Sequence, residues 1–62
     1  MIVKLTLKNG REKYLSFDGM FIDLVDDPAQ ATRISREERM ALERNRDSYL
    51  KHYRAKDLTF ID

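Results

Sequence analysis

Three groupings in this 62-residue chain have the residue types that chemistry requires. Ser48 and His52 stand four apart in "SYLKH", a spacing that brings them together on one helix face as the start of a nucleophile and base pair. No third group is placed to orient the imidazole and no glycine-rich elbow presents the serine. The pair therefore reads as a surface histidine near a helix C-terminus, and no enzymatic activity is expected. Asp23, Asp26 and Asp27 supply the carboxylate oxygens that calcium and magnesium prefer. The calcium-loop pattern is missing, with no glycine at its sixth position and no closing glutamate, so an acidic solvated loop before Pro28 is the expectation. Arg39 and Arg46 are the third grouping, with guanidinium groups suited to a partner's carboxylate or phosphate.

The chain that must hold these groups is one domain, residues 1–62, with little material for an enclosed site. There is no cysteine, and a single histidine cannot build the nitrogen and sulfur cage of a structural zinc. Gly10 and Gly19 are the only glycines, too few for a phosphate-cradling loop. No cofactor and no metal are expected. Below roughly 70 to 80 residues a core seldom supplies more than about 3 to 5 kcal/mol, which makes a homo-oligomer a serious option. The start "MIVKLTLKNG" lacks an uninterrupted apolar segment of signal-peptide length, and nothing approaches the ~20 apolar residues of a membrane span. A cytoplasmic protein without membrane contact is the expectation. Charged residues make up 37% of the chain, yet the formal net charge is only +1. That balance, with a pI near 8.1, argues against a dedicated polyanion-binding protein.

"IVKLTLKNGREKYLSF" reads as a hairpin turning at Asn9-Gly10. A two-residue turn there would mix apolar and polar residues on each side. A type I turn over Lys8-Asn9 with Gly10 as a left-handed bulge shifts the pairing by one and places Leu15 opposite Val3 and Phe17 opposite Met1. One face then carries Val3, Leu5, Leu7, Leu15 and Phe17, and Lys4, Thr6, Glu12, Tyr14 and Ser16 lie on the other. After a turn at Asp18-Gly19, the stretch from Met20 to Val25 is expected to complete the core through Phe21, Ile22 and Leu24. "ATRIS" reads as a short strand leading into a helix. Ser35 and Glu38 form a capping box, which predicts a single helix over about 35–54. "DLTFID" gives a final strand at about 57–61. The fold class is α+β, a small antiparallel sheet packed against one helix.

At 100° per residue Leu42, Tyr49 and Tyr53 share one helical stripe with Leu50 at its edge, and this stripe faces the sheet. Arg39 and Arg46 occupy the same stripe. In the preferred reading their stems cover the sheet edge while the guanidinium groups reach water or Asp23, Asp26 or Asp27. In the other, they line a groove as an interface or anion contact. Arg36, Met40, Arg44, Lys51 and Arg54 project outward, interleaved with Glu43 and Asp47, and form the candidate partner-binding face. An exposed methionine among arginines suits a protein contact.

Taken together, "KNGREKYLS", a short acidic stretch, "QATRIS" and a charged helix opened by "SREE" resemble the small orphan proteins of bacteriophage and prophage genomes. In those proteins the residue corresponding to Ile34 is often aromatic and the helix richer in alanine, so Arg39 and Arg46 depart from the pattern. The resemblance implies a ββ(β)αβ-like fold and binding to, or occlusion of, a host protein. The expected partner is thus another protein, with nucleic acid held by the basic helix as the alternative and a structural homo-oligomer as a third.

Overall fold

The computed structural model describes all of residues 1–62. Strands β1 (Ile2–Leu7), β2 (Glu12–Asp18) and β3 (Phe21–Val25) lead through a 3₁₀ turn (Pro28–Gln30) to helices α1 (Arg36–Arg44) and α2 (Arg46–His52), and strand β4 (Ala55–Ile61) closes the chain. The four strands form one antiparallel sheet in the order β3-β2-β1-β4. The expected α+β class holds. No helix is long and apolar enough to cross a membrane.

The first hairpin turns through a left-handed glycine. Gly10 has φ +90°, its N–H donates to the Leu7 carbonyl at 2.9 Å, and the Leu7 N–H donates to the Arg11 carbonyl at 2.8 Å. These are the bonds of a type I turn followed by a bulge. The resulting register pairs Lys4 with Tyr14, Leu5 with Lys13 and Thr6 with Glu12, as the bulged turn requires. Val3, Leu5 and Leu15 are thereby turned to one face, where they join Ile34, Leu42, Ala55 and Leu58 in a core of seven buried residues. Met1, Leu7, Phe17, Leu24, Tyr49, Leu50, Tyr53 and Phe60 pack around it.

Pairing of β1 with β2 stops at Lys4 and Tyr14, so neither of the expected pairs, Leu15 with Val3 and Phe17 with Met1, is made. Residues 32–34 enter the gap instead. The Thr32 N–H donates to the Leu15 carbonyl at 3.2 Å, the Phe17 N–H donates to the Thr32 hydroxyl at 2.8 Å, and the Ile34 N–H donates to the Met1 carbonyl at 2.7 Å. "ATRIS" is therefore an extended wedge between two strands and not a strand of the sheet. Its reward is the burial of Ile34, one of the seven core residues.

Ser35 caps α1 as expected: its hydroxyl accepts from the Glu38 N–H while the Glu38 carboxylate accepts from the Ser35 N–H. The Ser35 backbone N–H, and after it the hydroxyl, hold the Glu38 carboxyl below its ordinary value of 4.5. A carboxyl depressed in the folded state stabilises the fold above its ordinary value, and the contribution is lost as pH falls through the folded value. Ser35→Ala should lower stability by about 1 kcal/mol at neutral pH. Glu38→Ala should cost stability that shrinks in thermal melts run at progressively lower pH below 4.5, because the carboxylate that accepts from the Ser35 N–H is then protonated in the wild type as well. A deficit independent of pH would show that Glu38 does not take part.

The single helix expected over 35–54 is broken at Asn45. The Asn45 amide donates back to the Ala41 carbonyl at 3.0 Å while its own N–H is shared between the Ala41 and Leu42 carbonyls. A side chain that competes for the i−4 carbonyl disturbs the helical ladder, and here it separates α1 from α2. Arg54 ends the helical region in the left-handed conformation, φ 53°, and its carbonyl accepts from the Lys8 N–H at 3.0 Å. β4 then begins at Ala55, two residues earlier than expected.

Candidate interaction surface

The two helices lie along the β4 side of the sheet. Arg39 stacks its guanidinium 4.8 Å above the Phe60 ring and bonds Glu43 at 3.0 Å. Arg46 reaches Asp57, and the same terminal nitrogen lies 3.4 Å from the Leu58 carbonyl. Both arginines thus cover the sheet edge, but their acidic partners are Glu43 and Asp57 rather than Asp23, Asp26 or Asp27. Those three aspartates do not act together. Asp26 pairs with Lys13, which with the nearby Arg11 holds its carboxyl below the ordinary value, and Asp27 caps the 3₁₀ turn through the Ala29 N–H at 2.9 Å. Asp23 lies exposed on β3.

Breaking the helix also divides the outer face. Arg36, Met40 and Arg44 remain on α1, one turn apart and exposed, with Met40 at 50%. Lys51 belongs to α2 and shares a shallow groove with Lys8, Asp47, Ser48, Leu50 and Ala55, while Arg54 sits in the turn beyond it beside Lys8 and Asn9. Five residues expected to form one face are therefore distributed over two regions.

The helices pack chiefly against β4, and β3 at the opposite edge of the sheet is the least covered strand. Phe21 and Ile22, expected in the core, are exposed, at 75% and 39%, and Met20 beside them is at 95%. Local geometry explains this. Asp18 pairs with Phe21, so the hairpin closes through two residues, Gly19 at φ 61° and Met20. Glycine with positive φ at the first of two turn positions is the usual solution for so tight a hairpin, and it leaves Met20 at the corner with nothing to pack on. Phe21 shares a face with its partner Asp18, opposite to that of Leu15 and Phe17. Ile22 does face the helix side, where it lines an open groove of about 290 Å³ with Ser48, Tyr49, His52 and Tyr53. The imidazole of His52 packs edge-on against Tyr53, ring centres 4.7 Å apart. Burial, and after it Tyr49 and Asp23, pushes the Tyr53 phenol above its ordinary value of 10.0.

The two edges of the sheet are finished differently. On β4 the Leu58 N–H is taken by the Asp57 carboxylate at 2.9 Å and the Leu58 carbonyl by Arg46, while Lys56 is a bulged residue skipped by the register. Such devices keep an edge from pairing with another strand. β3 has no bulge and no side-chain bond to its outward backbone groups, and only its shortness and the central Asp23 guard it. The Leu15 carbonyl points toward β1, where it accepts from Thr32, so its partner across the ladder, Leu24, points its N–H and carbonyl away from β2. The same parity applies to Ile22. A lightly guarded edge therefore coincides with the largest exposed apolar run of the molecule, Met20 to Ile22.

No protein-family model, no characterised protein and no solved structure matches the chain.

Proposed function

We propose that the chain is a small non-enzymatic protein-interaction module, of the kind phage genomes encode to bind or occlude a surface on a larger protein, and that its principal contact is the open β3 edge. The observation that carries this is the exposure of Met20 and Phe21 at 95% and 75% in a chain with only seven buried residues. Large apolar side chains gathered on a free strand cost solubility and add nothing to the core, so their use lies outside the monomer. Added strands dock on such edges through backbone hydrogen bonds, with alternate side chains reading the partner.

Tagged protein should retain a stoichiometric protein partner from nuclease-treated lysate of its source or host, and Phe21→Asp should lose it without a change in melting temperature. Equal retention by both proteins would overturn the reading. The α1 face is the second surface to be scored in the same experiment. Met40→Ala combined with Arg44→Ala should weaken capture if the partner also rests on α1, again at unchanged stability, because both side chains are exposed. Loss of stability and capture together would remove α1 from the surface.

A further inference from the structure

Resting on the interaction reading above, we infer that, when no larger protein holds it, the β3 edge is occupied by a second copy of this chain, paired antiparallel about a two-fold axis through Asp23. The apolar residues of the strand are self-complementary in that register. Ile22 and Leu24, whose N–H and carbonyl groups point outward, would form hydrogen-bonded pairs with the other copy's Leu24 and Ile22. Phe21 would face Val25 on the opposite side of the sheet, an aromatic and β-branched pair, at both ends of the contact. Shifting the strands by two residues either way replaces apolar pairs with Phe21 or Val25 against Asp23, so only this register matches every apolar residue of β3.

Area supports a second copy. A 7.4 kDa monomer is expected to expose about 4,200 Å². The chain exposes 4615 Å². The excess, on the order of 400 Å², is more than one aromatic side chain accounts for, ~150 to 250 Å² when fully buried. Pairing covers the five residues of β3 and leaves Met20 outside the register, so the contact stays below the roughly 600 Å² per partner of the smallest specific interfaces. Association is then weak and reversible. The product is an eight-stranded sheet whose two Ile22 grooves meet beside the dyad and whose α1 faces stay free.

One feature of the register makes it testable at a single residue. Asp23 of each copy falls directly opposite the other in a closely spaced pair, where like charges are unfavourable. Sedimentation of the wild type should give a mass rising with concentration from 7.4 kDa toward twice that value. Asp23→Asn should tighten the pair by about threefold to fivefold. Asp23→Lys should stay as weak as wild type alone, yet an equimolar mixture of Asp23→Lys and wild type should associate more tightly than either. Ile22→Pro removes an outward N–H without touching the ladder to β2 and should give a folded monomer. The inference is overturned if the wild type stays monomeric at millimolar concentration, or if it dimerises indifferently to Ile22→Pro and to charge at position 23. A monomer that still loses its captured protein on Phe21→Asp would overturn the second copy while leaving the interaction module standing.

Discussion

Leu5→Ala should leave most of the population unfolded at room temperature. Leu5 is fully buried on the interior strand β1, paired with Lys13 on one side and Leu58 on the other. Deleting a leucine from such a position costs about 2.7 to 5 kcal/mol, the upper values applying where neighbours cannot collapse into the cavity. Strands on both sides of β1 prevent that collapse here. The whole domain is expected to have only about 3 to 5 kcal/mol of stability, so one substitution consumes most of it. Circular dichroism during urea titration is the check. The wild type should show a cooperative transition and Leu5→Ala little native signal before urea is added. A variant that keeps a cooperative transition at nearly the wild-type midpoint would mean that the core is not organised about β1. The contrast with Phe21 is the informative part: two large apolar residues, one of which the fold cannot lose and one of which it does not use.

That contrast was only half legible in the sequence. The first hairpin declares its register because a polar strand face opposes an apolar one, and only the Gly10 bulge keeps them apart; the core residues Val3, Leu5 and Leu15 follow from it. In the second hairpin the apolar run Met20 to Val25 has no such alternation, and composition alone placed Phe21 and Ile22 inside. A signal was present. If Gly19-Met20 is taken as a two-residue turn with glycine first, Phe21 must pair with Asp18 and leave the core face. What the sequence does not carry is the helix position: α1 and α2 lie toward β4 because Arg39 and Arg46 find Phe60, Asp57 and Leu58 there, contacts between residues far apart in the chain. Ser35 announced the helix start through a local motif, whereas the break at Asn45 depends on one amide choosing the Ala41 carbonyl.

Thr32→Val is the second substitution expected to act strongly, although it changes neither the size nor the shape of the side chain. Thr32 stands where β1 and β2 part company. Its hydroxyl accepts from the Phe17 N–H at 2.8 Å and returns a longer bond to the Phe17 carbonyl at 3.3 Å. Valine offers neither, and the Phe17 N–H is left half-buried without a partner, at a cost of about 1 to 3 kcal/mol. For a domain of this size each kcal/mol lowers the melting temperature by roughly 4 to 8 °C. Thr32→Ser keeps the hydroxyl and should recover most of the loss, which separates the hydrogen bond from packing of the methyl group. Amide exchange at Phe17 should accelerate in the valine variant and not in the serine one. Phe17 also lies three residues before Met20, so the same tether holds the hairpin that carries Met20 and Phe21. If Thr32→Val loosens that hairpin, partner capture should fall even under conditions where the domain remains folded. Unchanged melting and unchanged exchange would instead mean that burial of Ile34 anchors the wedge alone and that the hairpin needs no tether at Phe17.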